Sequence, residues 1–585
     1  MINQKRWFIY PILSPEADKT LGKYDPILRQ LLYNRGISTD VSAHAFLEAD
    51  ALFDYSPSQL LGMPEAVDRI LLALDNHEMV AVYGDYDVDG VTATALLVQT
   101  LTAIGVQAEG YIPNRFEEGY GLNNEALLNL QNKQVKLVIT VDSGIRSLDE
   151  AAFARQIGLD MIITDHHQPA EYLPQAVALI NPKQPGDPYP DKDLAGVGVA
   201  YKLAQALLER LAAVNPPSGK PFHFKLESML DLVALGTVAD LAPLVGENRI
   251  LVRNGLRCIR SKSRQGLLAL AGVAELDLAK TTAVNIGFVL GPRLNAAGRL
   301  ESALAAFDLL TTPDPQLAGK LAQALEIHNR NRQAITRTTQ AQAEEIALKD
   351  DPDGFILFAV HPDFNTGVVG LAASRLVETH YRPAIVGQRN EETGYTRCSC
   401  RSIPEFHITE ALDQCASLLV RHGGHAAAAG FTVKNENLPE LQDRLRQIAR
   451  EKLSTIDLRP TISADMTINL ADMTGQIINT LEKLQPTGYG NPEPVFVSRN
   501  VPVKSSRTVG ADAKHLKLTL TAGKLTFDAI GFRLGHLHPV LPAGTLVDLM
   551  YTFETNEYMG RSSLQLNLKD VKLAGEPDNN TERFA

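Results

Sequence analysis

The sequence predicts an α/β protein in several parts: a parallel-sheet unit, a smaller α/β unit reached through one long helix, and a terminal β-barrel. Three observations predict it. Apolar strand-like runs alternate with helical patterns from about residue 65 to 240. Residues 316–349 form a polar stretch with Leu317, Leu321, Ala324, Leu325 and Ile327 at helical spacing and no proline. Beyond about residue 461, short alternating segments sit between turn residues. A length of 585 residues leaves room for three or four domains.

The first forty or so residues read as a Pro-punctuated lead-in with helical fragments. Runs at 79–84, 106–112, 135–141 and 159–164 are too apolar for a half-exposed sheet, so they read as parallel strands buried on both faces, with helices between them. Helical patterns at 197–211 and 226–239 complete this unit. Residues 316–349 predict a bridging helix of roughly 45 Å. A second α/β pattern follows: strands at 355–360 and 384–386, and helices at 368–380, 410–420 and 438–451. Segments 516–521, 525–530, 546–553 and 563–568 suggest the barrel, and residues 575–585 a loose tail. The divisions are 1–45, 46–312, 313–350, 351–455, 460–574 and 575–585.

Composition excludes several classes. Forty-two glycines and 32 prolines are too few for a collagen-like or low-complexity chain. No apolar run approaches the ~18 residues that span a bilayer, and the apolar patch at 7–13 contains Pro11 and lacks a cleavage site. Four scattered cysteines make no disulfide framework. A soluble, cytoplasmic protein is expected. The net charge of −12 argues against a surface coated in Lys and Arg but not against local basic grooves.

The acids carry the chemistry. The run 79–84 ends in Asp85-Tyr86-Asp87-Val88-Asp89-Gly90, the run 135–141 in Asp142, and the run 159–164 in Asp165-His166-His167; the helical pattern 226–239 leads into Asp240. Ligands of open α/β sheets sit outside the carboxyl ends of the strands. Carboxylates crowded there need cations, and oxygen donors with imidazole suit Mg²⁺ or Mn²⁺. A calcium loop fits poorly, because Leu96 stands at the twelfth position and a strand precedes the motif. Cys398 and Cys400 lack partner cysteines for zinc.

These residues resemble the four phosphoesterase motifs of the DHH superfamily: Asp87-Val88-Asp89, Asp142, Asp165-His166-His167 and Asp240. Ile112-Pro113-Asn114-Arg115-Phe116, Glu118-Gly119-Tyr120-Gly121-Leu122, Gly291-Pro292-Arg293-Leu294-Asn295-Ala296-Ala297-Gly298-Arg299 and Gly367-Val368-Val369-Gly370 are similar to its RecJ branch. Arg401-Ser402-Ile403-Pro404, Gly423-Gly424-His425 and Ala428-Ala429-Gly430 resemble the DHHA1 domain, and Lys514-His515-Leu516-Lys517-Leu518 the OB-fold of that branch. Cys398 and Cys400 stand beside Ser399 where glycines are more usual.

The resemblance implies a parallel-sheet DHH domain, a DHHA1 domain and an OB-fold. It also implies 5′→3′ exonuclease activity on single-stranded DNA in recombination and repair. Two divalent ions, Mn²⁺ or Mg²⁺, are the implied cofactors. The candidate metal set is Asp85, Asp87, Asp89, Asp142, His166 and Asp240. Asp87 and Asp142 hold one ion, and Asp89, Asp142, His166 and Asp240 the other. Asp142 bridges them, and Asp85 either orients the ligands or coordinates directly. The candidate catalytic set is His167, Asp165 and Arg293, with His167 facing the scissile phosphate. Candidate DNA contacts are Arg115, Arg299, Gly367, Gly370, Arg375, Arg401, Ser402, His425, Lys514 and Lys517. A cleft between the α/β domains that admits only an unpaired strand is expected. The chain is expected to act as a monomer, with a single-strand-binding protein and a helicase as candidate partners. Two other readings stay open: a phosphodiesterase of short oligonucleotides, and a non-catalytic strand-binding relative.

Overall fold

Five strands pair in parallel at the centre of the first unit. Their order across the sheet is Gln107–Tyr111, Met79–Gly84, Val135–Val141, Asp160–Thr164, Ala178–Ile180. The structure, a computed structural model, describes residues 5–48, 55–113, 121–214, 224–300, 302–558 and 561–576. The apolar runs expected as buried strands are buried: Val80–Tyr83 and Leu137–Ile139 have no exposed surface. The edge strand Gln107–Tyr111 is the polar exception and is partly exposed. Because all five run the same way, Gly84 and Val141 lie side by side at one rim, and Thr164 reaches it one strand further on. The chain order reverses between Met79–Gly84 and Val135–Val141, which opens a crevice outside their carboxyl ends.

Helix Val88–Ile104 starts at that rim and is buried on nearly every side. Helices Gly196–Val214 and Leu230–Ala239 pack against it. Apart from Asp231 and Thr237, Leu230–Ala239 is apolar, as suits a helix enclosed by other elements.

Strands Phe496–Val509, His515–Ala522, Leu525–Gly531, Arg561–Leu573 and Leu546–Tyr558 close into a five-stranded barrel, an OB-type architecture, the first pairing back with the last. The lead-in is part of this structure. Strand Arg6–Ile9 runs parallel to Thr461–Ala464, and the Trp7 indole donates to Asp570 at 2.8 Å. Leu28, Leu31 and Phe46 share one apolar core with Leu518 and Leu549 of the barrel.

Arg249, fully buried on helix Gly246–Ser261, fastens the sheet unit to the barrel. Its five N–H groups donate to the carbonyls of Phe46, Lys483, Leu484, Gln485 and Pro486 at 2.8–3.3 Å, and its guanidinium stacks 3.9 Å over the Phe46 ring. Burial pushes its pKa down to about 9. Arg249→Ala leaves five carbonyls without these donors. The expected destabilisation is on the order of 3–5 kcal/mol, read as a lower urea midpoint; an unchanged midpoint contradicts the fastening role.

The second unit comprises Pro292–Ala306 and Gly319–Pro460. Helix Pro315–Asp350, 36 residues and roughly 54 Å long, runs into it. Its sheet has the order Leu419–Gly424, Ala428–Lys434, Tyr395–Arg401, Ala384–Asn390, Leu357–His361, and only the last pair is parallel. The helix expected at 410–420 is instead helix Ile408–Asp413, a turn at Ala416–Leu418, and a strand from Leu419. Pairing of Leu419–Gly424 with Ala428–Lys434 overrides the helical spacing. Cys398 and Cys400 lie on a strand, not in a loop. Gly387 opposite Cys398 makes the room, since a Cβ there would fall 2.3 Å from the Cys398 sulfur. Among the described residues no helix is long and apolar enough to cross a membrane.

Candidate metal centre

Each acid of the rim is held by a local feature of the chain. Asp85 directly follows its strand and accepts the Tyr86 N–H at 2.7 Å. Asp87 caps helix Val88–Ile104, accepting from the Gly90 N–H at 3.1 Å. Asp89, buried in the first turn, accepts from the Gly196 and Val197 N–H groups at 2.7 and 2.9 Å, at the positive end of helix Gly196–Val214. Asp142 leaves its strand with φ +58°, a left-handed conformation of the kind that persists at sites where surrounding structure imposes it. Asp240 sits at the C-terminal end of helix Leu230–Ala239, where the helix dipole disfavours a carboxylate.

The side chains converge. The His166 Nε2 lies 3.0 Å from Asp142, 3.7 Å from Asp240 and 3.9 Å from Asp89. Three groups have ligand atoms within 4.8 Å of one another: Asp85, Asp87 and Asp142; Asp89, His166 and Asp240; and Asp142, His166 and His167. Asp142 belongs to two of them. Its Oδ1 and the His166 Nε2 are buried without a hydrogen-bond partner. That arrangement fits divalent ions bound by oxygen and imidazole. The remaining His166 nitrogen bonds the Leu194 backbone, which leaves Nε2 as the ligand atom.

Electrostatics point the same way. Burial, then repulsion by Asp240 and Asp87, pushes the Asp89 carboxyl well up, and burial with Asp89, Asp87 and Asp85 does so for Asp142. Burial beside Asp87 raises Asp240 to about 7. His166 is held down at about 3 by burial and by His167, so its ring stays in the neutral ligating form. His167 is pushed up to about 9, chiefly by its 2.8 Å hydrogen bond to Asp165. Asp165 is not turned to the rim. It accepts from the backbone N–H groups of Ile145, His166 and His167 and from the His167 ring. Although burial raises the Asp165 carboxyl, these bonds bring it below the ordinary value.

The other predicted residues are placed as follows. Arg293 belongs to the second unit, where Glu326 holds its Nε at 2.7 Å. Gly370 opens helix Val369–His380 against Arg401 and Ser399; a Cβ on it would come 2.9 Å from the Ser399 hydroxyl and 3.0 Å from an Arg401 nitrogen. The Gly367 N–H is taken by Asn365 at 2.8 Å. Ala428 pairs with Arg401, which brings the exposed turn bearing His425 to that end of the strand. The Ser402 hydroxyl donates to the Phe406 carbonyl, and Arg375 pairs with Glu378 at 3.1 Å. Lys514 and Lys517 each meet an acid, Asp512 at 3.0 Å and Asp528 at 3.5 Å. Arg115 and the Arg299 side chain lie outside the described residues.

Comparison with known proteins decides the family. The family model for the DHH family, N-terminal domain, matches residues 79–237, that for the DHHA1 domain residues 353–451, and that for the RecJ OB domain residues 464–570. The single-stranded-DNA-specific exonuclease RecJ of Bacillus subtilis is 38% identical over 579 residues, 98% of this chain and 72% of that one. The chain belongs to the RecJ family. The Haemophilus influenzae RecJ is 35% identical, covering 87% of this chain and 90% of its own. The crystal structure of Thermus thermophilus RecJ in complex with Mn²⁺ superposes with a TM-score of 0.82 at 28% identity, over 98% of this chain and 81% of that one; its Mg²⁺ complex gives 0.77.

The RecJ-type centre also depends on residues that sequence reasoning missed. Gly196 lies so close that a Cβ would fall 2.6 Å from that of Asp142, and one on Gly236 would fall 2.6 Å from an Asp89 oxygen. Asn181 donates to the His167 carbonyl at 2.9 Å. A glycine inside an otherwise apolar helix, four residues before Asp240, was the one local signal for Gly236.

Proposed function

We propose that this chain is a metal-dependent exonuclease that removes mononucleotides from single-stranded DNA in the 5′→3′ direction, serving recombination and repair in the cytoplasm. The observation that carries the reading is Asp142, shared between two ligand groups at one sheet rim, with a buried Oδ1 that takes part in no hydrogen bond. Two divalent ions held by Asp85, Asp87, Asp89, Asp142, His166 and Asp240 would activate a water and neutralise charge on the phosphate. The protein's own work is positional. Asp165 orients His167 and keeps it cationic at neutral pH, ready to donate to a phosphate oxygen. The Gly196 and Val197 amides fix Asp89 in place, so that it would hold an ion from an already ordered position. In the second unit, Arg401 and the amides opening helix Val369–His380 hold a strand phosphate. Polarity, monomeric action, and single-strand-binding protein and helicase partners follow the family resemblance.

With Mg²⁺ or Mn²⁺, a 5′-labelled single strand is expected to yield labelled mononucleotide at once, a 3′-labelled strand a shortening ladder, and a blunt duplex very little of either. Early mononucleotide release from the 3′ label overturns the polarity. Equal rates on duplex overturn the strand specificity, and cleavage confined to very short oligomers favours the oligonucleotide phosphodiesterase.

A further inference from the structure

Strand Tyr395–Arg401 has two unlike faces. Thr396, Cys398 and Cys400 point into the core, so Tyr395, Arg397, Ser399 and Arg401 share the other face. Helix Val369–His380 lies over the Ser399–Arg401 end of it, at Gly370. The other end is an open groove of about 560 Å³ lined by Gln388, Tyr395, Arg397, Val420, Arg421 and Thr432 among others, none of them acidic. Tyr395 and Val420 are 39% and 54% exposed there. Arg421 only shares a 3.3 Å contact with the Thr432 hydroxyl, and Arg397 has no carboxylate within ion-pair distance among the described residues. Glu391, on the adjoining turn, is paired with Arg389 at 2.7 Å.

We infer that this open sheet face carries the single-stranded DNA onward from Arg401, an inference that rests on the nuclease reading and deepens it. Charge complementarity and continuity both argue for it. Arg397 lies four residues from Arg401 on the same face, about 14 Å away, and Tyr395 about 20 Å away. Two uncompensated guanidinium groups can meet successive phosphates, while Tyr395 offers a ring on which a base stacks. Gln388 and Thr432 supply hydrogen bonds tolerant of any base. An aromatic ring set among cations on a sheet face is how sequence-tolerant strand binding is built.

The test is fluorescence anisotropy with a 20-mer blocked against turnover by phosphorothioate linkages, in Mg²⁺, across a salt series. For Arg397→Ala/Arg421→Ala, the slope of log affinity against log salt is expected to shrink by about 1.4, two phosphate contacts at ~0.7 each. Tyr395→Ala is expected to weaken binding about tenfold and leave the slope unchanged. Wild-type slope and affinity in all the variants overturn the inference. So does capture of an acidic peptide through these arginines while the DNA slope stays intact, which would make the face a protein-docking surface. A wild-type protein that fails to bind or cut single strands overturns the nuclease reading itself, a result distinct from both.

Discussion

Asp142→Asn is expected to lower the rate of strand hydrolysis at least about 10³-fold, the equivalent of roughly 4 kcal/mol of lost transition-state stabilisation. The substitution keeps shape and removes charge from the one carboxylate shared by two ligand groups. Strand affinity in EDTA is expected to hold or to tighten, because one negative charge is removed from a rim that already repels phosphate. The metal-free variant is also expected to unfold at a higher temperature than metal-free wild type, since a carboxyl that burial and neighbouring acids push up is gone. This pairing of lost turnover with raised apo stability is a signature that a misfolded variant cannot mimic. Residual activity above a few percent contradicts the bridging role.

Removing the metal is expected to make stability strongly pH-dependent. Asp240 titrates near 7 in the fold against an ordinary value near 4, and Asp89 and Asp142 are also raised, so the folded protein holds protons that the unfolded chain releases. His167, at about 9 against 6.5, likewise stabilises below its unfolded pKa and loses that contribution as pH rises towards 9. His166, at about 3, works in the opposite sense, but its contribution is lost only as pH falls below 6.5. Asp165, lowered, matters only below about pH 4. Between pH 6.5 and 9, the contributions therefore share one sign: stability of the EDTA-treated protein falls. Mg²⁺ at a hundred times its Kd adds about 2.7 kcal/mol, roughly 5–10 °C in Tm for a domain of this size. At a fixed Mg²⁺ concentration that gain is expected to grow from pH 6.5 to 8.5, as protons leave the carboxyls that would hold the ion. A metal-free Tm that is flat or rises over this range, or a metal gain that shrinks, contradicts the account.

Much of the centre was legible in the sequence. Asp85, Asp142 and Asp165 each follow an apolar run, and parallel pairing puts the ends of such runs on one rim. The Asp165 role was not legible. The triplet Asp165-His166-His167 has the composition of a ligand set, yet its acid folds back onto its own loop amides, a choice made by turn geometry. Helix 410–420 failed for a related reason: its spacing of apolar residues suits a helix, but an edge strand was available for pairing.

The order of residues, by itself, determined which acids and imidazoles end up at one sheet rim, because each follows directly on an apolar strand-like run or a helical pattern. It also determined the long polar helix. Only the tertiary structure decided how the parts are fastened: Trp7 bonded to Asp570 across 563 positions, Arg249 threaded among five carbonyls, and Gly196 pressed against Asp142. Periodicity encodes which face of an element is buried. It carries no information about which distant surface will fill that space, since that is settled by shape and by the hydrogen bonds left unsatisfied once the elements have formed.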